Sequence, residues 1–492
     1  MDSAIYTLDE LSAAVCHDMV RAAAALRNNV DIVLGPAGLS GPQFGIFGLL
    51  PRSNRRAAAR RGLRNLAIAA LAISGTTAWA KDVVLVRQPE LIPANKVIAL
   101  PDAIALTLQN QPTIRQAGAQ VVIQTGAVRQ SRSALLPSLD VTSSAAIAGN
   151  RNNIGTTVSE TINQLIFDLG RSRDLLDQSR QQLAAAQYGL GVATLSATFT
   201  VKQDYYAALR TARLVQVFET NVKDQDEHVS QARARFGAGL APKSDVLNAQ
   251  AAAASARVDL VTARNNAAQA RVDLNVAMGV DVRGAFQISE TTEPEFPVPS
   301  LDDTVNLAIK NRPEMCQAID QAASAVAALR AARTGNLPTL TTSLGQNQVS
   351  GGQFLSPSSI NWLVNLTWTP FDSGFTRGAV FQAEGQLENA EENVYTVSQT
   401  VSRDVASARL NVLTAQESLA SARVEVAAAT ENLAVATGRY QAGVGIFLEV
   451  LDAQALLLKA QVDEATALYG LSTARAQLEH AVGVNKAEGT LK

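Results

Sequence analysis

The sequence has few of the residues that build disulfide, metal or catalytic sites. Its 492 residues include two cysteines and three histidines, and aromatic side chains make up only 5%. Two cysteines cannot form a disulfide framework, and neither His228 nor His480 is followed by a second metal ligand three or four residues later. We therefore expect no enzymatic activity, no catalytic residues, no metal site and no cofactor.

Charge is also scarce, at 17% of the residues, and it is nearly balanced, with a formal net charge of −2. A chain without a basic surplus cannot neutralise a phosphate backbone, so nucleic acid is not an expected partner. Small and aliphatic residues dominate the 47% hydrophobic share. This composition favours long packed helices over several globular cores.

Long hydrophobic runs are absent after residue 81, which excludes a transmembrane helix of about 20 apolar residues there. Before it, a basic run, a short apolar core and Ala78-Trp79-Ala80 are typical of a secretory signal peptide cleaved before Lys81. The alternative is an uncleaved amphipathic anchor. We expect residues 52–80 to be the signal peptide and residues 1–51 to be a non-native, over-extended reading frame.

The remaining sequence contains two copies of one unit. Leu136-Pro137 recurs as Leu337-Pro338, and Phe167-Asp168-Leu169-Gly170 recurs as Phe371-Asp372-Ser373-Gly374, 204 residues later. Such a long period indicates a duplicated domain and not a solenoid. The predicted organisation is a first repeat at 81–283, a proline-rich linker at 284–300, a second repeat at 301–484 and a short tail at 485–492.

Proline is missing from residues 138–241 and from the whole chain after residue 370. Because these stretches are rich in helix formers, we predict long helices over 170–235 and 374–439. Glycine turns follow them, and helices over 244–277 and 447–481 then return to form antiparallel hairpins. The seam of the first return helix is predicted to contain Leu247, Ala251, Ala254, Val258 and Val261.

Between the Leu-Pro and Phe-Asp motifs the hydrophobic pattern changes to a period of two. Apolar side chains from Ile360 to Trp368 alternate with mainly polar ones, as in a strand with one face toward lipid. Four strands are predicted per chain, at 138–148, 156–167, 339–348 and 360–369. Because four strands cannot close a barrel and open edges do not survive in lipid, several chains are expected to pool their strands.

Together with a Gly-x(5–6)-Val-Leu-x-Ala-Gln pattern at each hairpin turn, these motifs resemble the TolC-type outer-membrane factor family. The likeness covers about residues 97–484. It implies a mainly α fold with a membrane β-barrel portion: a homotrimer with a twelve-stranded barrel in outer-membrane lipid, continued by a long α-helical periplasmic tunnel.

The resemblance also implies a function. Such a protein is the exit duct of a tripartite efflux pump or type I secretion system, docked to a periplasmic adaptor (membrane fusion) protein and an inner-membrane pump of the RND or ABC type. Drug, metal, peptide and protein all stay open as cargo. The competing interpretation is a periplasmic coiled-coil scaffold protein without a pore.

The family closes the periplasmic end of its tunnel with acidic residues, and the matching positions here are Asp245, Glu449 and Asp452. By threefold symmetry Glu449 and Asp452 would form two stacked carboxylate rings, which select for cations. The alternative is that they are solvated first-turn acids that stabilise helix N-termini. Tyr440 matches a residue that hydrogen-bonds to the first acid, here Asp245, with simple packing as the alternative.

A basic latch residue of some members is replaced here by Gly445, and Lys243 is the conjectured substitute. The two turns are, by resemblance, the surface that the adaptor contacts. The residues concerned are Gly239, Leu240, Ala241, Gly443, Val444 and Gly445.

Overall fold

The computed structural model describes residues 91–93, 96–147, 154–290, 300–350 and 359–484. The proposed N-terminal extension, the signal peptide and the C-terminal tail lie outside the described residues, as do residues 291–299 of the linker. These assignments and the domain boundaries therefore stay predictions.

The described residues contain the same succession of elements twice, which confirms the duplicated fold. After a two-residue strand β1 (Val97–Ile98), the first copy consists of α1 (Leu100–Asn110), α2 (Pro112–Ser133), β2 (Ser138–Ile147), β3 (Ile154–Phe167), α3 (Arg171–Gly237) and α4 (Lys243–Ala277). A second short strand, β4 (Gln287–Ile288), follows it. The second copy consists of α5 (Leu301–Asn311), α6 (Pro313–Arg333), β5 (Thr339–Ser350), β6 (Ser359–Thr367), α7 (Phe375–Gln441) and α8 (Phe447–Val482).

The four hairpin helices begin and end within two residues of their predicted bounds. α3 and α7 have 67 residues each, which corresponds to roughly 100 Å at 1.5 Å per residue. Both are uninterrupted because no proline removes an amide donor along them. In the part of the chain that the structure describes, no helix is both long enough and apolar enough to cross a membrane.

The Phe-Asp motifs form the turns that lead from strand to helix. Asp168 Oδ1 accepts a hydrogen bond from the Gly170 amide at 3.1 Å, and its Oδ2 accepts one from the Ser172 amide at 2.7 Å. Leu169 and Gly170 both have left-handed backbones, with φ of 57° and 95°. The carboxylate therefore satisfies amides that the start of α3 leaves open. Asp372 repeats these contacts at the start of α7.

The strands form a four-stranded sheet in the order β2-β3-β5-β6. β2 and β3 are antiparallel, with Ser138 opposite Asn163 and Ile147 opposite Ile154. The chain divides into two compact units, and most of this sheet belongs to the first. The described strand residues of that unit fall within 138–163 and 342–364. Along β6 every side chain is exposed, including the apolar series that the sequence predicted, Ile360, Trp362, Val364 and Leu366.

The helices belong to the second unit, where α3 pairs with α4 and α7 pairs with α8. The predicted seam of α4 is wrong, because Leu247, Val258 and Val261 are exposed. From its start to residue 263, the residues that α4 buries are all alanines, namely Ala249, Ala253, Ala256 and Ala263. Small side chains let the helix backbones approach closely, so the larger aliphatic residues are left on the opposite face.

The first part of the predicted linker is folded and not merely extended. Gln287 and Ile288 pair in parallel with Val97 and Ile98. The hydroxyl of Tyr205, a fully buried residue of α3, lies 2.7 Å from the carbonyl oxygen of Ser289 and 3.1 Å from that of Ile98. This contact holds both short strands against the long helix.

Candidate functional site

The two hairpin turns have the same backbone geometry. Each long helix is followed by a left-handed glycine, Gly239 with φ of 72° and Gly443 with φ of 76°. The next amide, of Leu240 or Val444, donates back to a carbonyl of the last helical turn at 2.9 or 3.0 Å. Because side chains with a Cβ are strained at positive φ, this turn requires glycine and explains why glycine recurs.

The residues assigned to the adaptor lie on these turns. Leu240 and Val444 are 73% and 71% exposed, so two large apolar side chains project into solvent. Gly239 and Gly443 are also exposed, whereas Ala241 and Gly445 are half-buried. Contact with an adaptor stays a prediction for these residues.

Behind the turns, all four hairpin helices contribute to one hydrophobic cluster. It consists of Ala232, Ala249, Ala436, Tyr440, Phe447, Val450 and Ala453. The two rings in it, Tyr440 and Phe447, are only 7% and 3% exposed, and their centroids are 5.3 Å apart. Burying a phenylalanine contributes roughly 1.5 to 3 kcal/mol, so this cluster holds the two hairpins together near their tips.

Tyr440 does not make the predicted hydrogen bond to Asp245. Its hydroxyl is buried and has no hydrogen-bond partner, while Asp245 is half-buried in the first turn of α4. The ring is fixed by its contacts with Phe447 and with the guanidinium of Arg235, whose Cζ lies 4.4 Å from the ring centroid. In this structure Tyr440 therefore packs against these two side chains, and its part in a gate stays a prediction.

Arg235 makes a polar contact between the two hairpins at their tips. Its Nη1 donates to the carbonyl oxygen of Tyr440 at 2.6 Å, and its Nη2 donates to that of Gln441 at 3.3 Å. Both carbonyls belong to the last turn of α7, where backbone acceptors lack helical partners and the helix dipole is negative. Lys243, the conjectured substitute latch, is instead exposed at the start of α4.

The acids of the second copy lie at the start of α8. Glu449 Oε2 lies 3.4 Å from Arg439 Nη1, and this ion pair stays within the second hairpin. Asp452, three residues further on, is exposed. Asp245 occupies the position equivalent to Glu449 in the first copy, 204 residues earlier. The structure thus places Asp245 and Glu449 in the first turns of the return helices and Asp452 one turn further along α8, and their role as a carboxylate ring stays a prediction.

A row of buried polar side chains, three or four residues apart, lies on α3. It contains Asn221, Gln225 and His228. Gln454 of α8 donates to the Asp224 carboxylate at 3.2 Å. This row leaves polar groups inside the contact between the two hairpins.

His228 is the titratable member of that row. Both of its ring nitrogens are buried without a hydrogen-bond partner, and its ring meets Phe447 edge-on at a centroid distance of 6.2 Å. Burial lowers the pKa of His228 from its usual 6.5, although the carboxylates of Asp224 and Glu227 act in the opposite direction. Within the described ranges, no group of three or more His, Cys, Asp or Glu side chains could hold a metal ion.

The sequence reasoning missed Arg235, Arg439 and His228. The two arginines are repeat partners in the last turns of α3 and α7, where a basic side chain interacts favourably with the helix dipole. That shared position was a usable signal. The partners of the arginines were not readable from it, because one arginine binds across the hairpins and the other within its own.

A family model for outer membrane efflux proteins matches the chain twice, over residues 103–280 and 304–484. The chain belongs to the outer membrane efflux protein family. The two matches coincide with the two copies of the helix, strand and hairpin unit, so the predicted TolC-type resemblance is confirmed. Membership of this efflux family places the chain in the bacterial outer membrane, as a transport protein of the channel class.

Individual relatives agree with this family. The curated protein CyaE of Bordetella pertussis is 27% identical over 374 residues, which span 72% of this chain and 77% of CyaE. The CmeC outer membrane channel of Campylobacter jejuni matches in fold, with a TM-score of 0.71, 19% identity and coverage of 78% of this chain and 85% of CmeC. The outer membrane protein VceC of Vibrio cholerae matches with a TM-score of 0.69 and 21% identity, and the match covers 78% of this chain and 96% of VceC.

Proposed function

We propose that this protein is the trimeric exit duct of a tripartite efflux pump or a type I secretion system. Three chains pool twelve strands in a barrel in the outer membrane, and their hairpins form a periplasmic tunnel. The duct receives its cargo from an inner-membrane pump, of the RND or ABC type, through a periplasmic adaptor. It performs no chemistry of its own.

The observation that carries this proposal is the four-stranded sheet with two open edges. β2 and β6 end the strand order among the described residues, and β6 exposes Trp362 and its apolar neighbours. An edge with unpaired amides and carbonyls does not survive in lipid. Pairing β2 of one chain with β6 of the next removes both edges.

The exposed stripe on α4 supports the same assembly. Leu247, Val258, Val261 and Val276 face away from the alanine seam that α4 presents to its own hairpin. Contiguous apolar surface of this kind marks an interaction site. A neighbouring copy of the chain, with its own long helices alongside, is the partner that we assign to this stripe.

The hairpin tips are proposed to be the periplasmic gate and the adaptor contact. Asp245, Glu449 and Asp452 recur three times in a trimer, and crowded carboxylates attract cations. Because Glu449 has its own counter-ion in Arg439, Asp452 and Asp245 are expected to dominate the field of the ring. The exposed Leu240 and Val444 offer the adaptor an apolar contact at each turn.

The test is the molar mass of the membrane-extracted protein in detergent, corrected for bound detergent, with single-channel conductance recorded on the same sample. We expect a trimer that conducts poorly. Replacing Glu449 and Asp452 by alanine is expected to raise the conductance, with Asp463→Ala, also on α8 but remote from the tip, as the matched control.

Two outcomes contradict the proposal in different ways. A water-soluble monomer or dimer that never forms channels would return the pore-less periplasmic scaffold to first place. A conducting trimer whose conductance and cation preference ignore the loss of both acids would keep the duct and remove the carboxylate gate.

A further inference from the structure

We propose that Arg235 is the latch between the two hairpins of each chain and holds the tunnel end closed, a role that rests on the proposed function as a gated duct. The latch joins the guanidinium of the first hairpin to the last carbonyls of α7. It takes the place of the contact between Tyr440 and Asp245, which this chain does not make.

The geometry of Arg235 suits this role. Two of its nitrogens reach two consecutive carbonyl oxygens, those of Tyr440 and Gln441, while its plane lies over the Tyr440 ring. A planar fork with several donors makes such a double contact, which the single ammonium of lysine cannot reproduce. The cation also meets the negative end of the α7 dipole.

The Arg235 contact joins residues of two different hairpins. Arg235 lies in the last turn of α3, and its acceptors lie in the last turn of α7, so the contact spans both hairpins. Any opening that moves the tip of α7 and α8 relative to the tip of α3 and α4 must break it. The contact therefore stabilises the closed arrangement and contributes little once the tips have separated.

The repeat partner of Arg235 supplies the contrast. Arg439 has the same position in the second copy, yet it pairs with Glu449 inside its own hairpin. That ion pair moves with the hairpin and is kept when the tips separate. Arg235 and Arg439 are therefore matched in residue type and position and differ in whether they join the two hairpins.

The experiment records single-channel open probability for the full-length, membrane-extracted trimer and for two variants of the latch, Arg235→Gln and Arg235→Lys. Arg257→Gln is the control, and Tyr440→Phe and Asp245→Asn test the alternative contact. Charge-assisted hydrogen bonds suggest an increase of about tenfold in the open-to-closed ratio for Arg235→Gln. Arg235→Lys is expected to lie between this variant and wild type, because it keeps the charge and loses the fork. Arg257→Gln removes an exposed ion pair with Asp226 that stays within the first hairpin and lies outside the proposed gate, so this variant is expected to stay within about twofold of wild type.

Trimer mass and thermal midpoint are measured on each variant, so that a folding defect is separated from a change of gating. If Arg235→Gln assembles poorly, Arg235→Lys decides, because it keeps the charge and most of the aliphatic stem. The inference is overturned if Tyr440→Phe and Asp245→Asn open the channel while the Arg235 variants do not. If the wild type forms no channel at all, the proposed function is wrong. If the wild type conducts poorly and the Arg235 variants have the same open probability, only the latch is wrong.

Discussion

The two hairpin tips have nearly the same backbone and different side-chain surroundings. Tyr440 of the second tip is 7% exposed, whereas its repeat partner in the first tip, Phe236, is 47% exposed. Phe447 is buried, and its repeat partner Lys243 is exposed. The two copies thus share the geometry of the turn, but only the second tip inserts its rings into the shared hydrophobic cluster.

In this arrangement the second hairpin contributes the buried rings, and the first hairpin provides the surface on which those rings pack. Arg235 and His228 of α3 both contact rings of the second tip. The equivalent residues of the second copy, Arg439 and Asn432, do not contact the rings of the first tip in this way. Equal sequence position therefore does not imply equal role, because each role depends on what lies opposite.

The largest expected effect comes from Phe447→Ala compared with Lys243→Ala. Removing a buried phenylalanine leaves a cavity and typically costs about 3 to 4 kcal/mol, whereas an exposed lysine contributes less than about 0.5 kcal/mol. We expect a corresponding loss of amide hydrogen-exchange protection at the start of α8 in the first variant and almost none at the start of α4 in the second. Similar losses in both would show that the tips are equivalent after all.

A smaller effect is expected from pH, through His228. Because burial lowers its pKa below 6.5, the closed tip binds a proton less readily than an opened tip. The stability of the closed tip is therefore complete above pH 6.5 and decreases as the pH falls toward the lowered pKa. Open probability in wild type is expected to rise over this range by more than in His228→Asn, which copies the second repeat.

The other ionisable side chains of the tip are the same in both proteins, so the informative quantity is the difference in open probability between wild type and His228→Asn. Asp224 and Glu227 lie beside His228 on α3, and they are present in both. Identical pH profiles for wild type and His228→Asn would exclude His228 as a source of pH dependence.

Much of this fold was predictable because local rules determined it. The absence of proline fixed the extent of α3 and α7, and the positive φ of Gly239 and Gly443 requires the glycines that marked the turns. The strands were predicted from their period of two, within two residues of their observed bounds. These features depend on neighbours along the chain.

The errors concern contacts between distant segments. The apolar stripe from Leu247 to Val261 was assigned to the hairpin seam, yet alanines form that seam and the stripe is exposed. The period of apolar residues identifies the apolar face of a helix, but it does not show which neighbouring helix packs on that face. The contact between Tyr440 and Asp245 was expected from the family resemblance, which gives no sign that Arg235, 205 residues away in sequence, binds the Tyr440 carbonyl.

The smallest expected effect concerns the ion pair between Arg439 and Glu449. Both side chains are largely solvated, at 53% and 39% exposure, so the pair is expected to contribute only about 0.2 to 1 kcal/mol. A double-mutant cycle with Arg439→Gln and Glu449→Gln should give a coupling energy in this range at low salt. Raising the ionic strength to about 1 M should remove it, because the Debye length then falls to about 3 Å.

The matched cycle in the first copy uses Arg235→Gln and Asp245→Asn. Arg235 binds the carbonyls of α7 and not Asp245, so the expected coupling is close to zero at any salt concentration. Helix-dipole contributions are lost in both Glu449→Gln and Asp245→Asn, and the cycles cancel them. A coupling in the first copy as large as that in the second would mean that Arg235 exchanges between the α7 carbonyls and Asp245. Both tips would then form an ion pair between arginine and carboxylate, and they would differ only in how often it is formed.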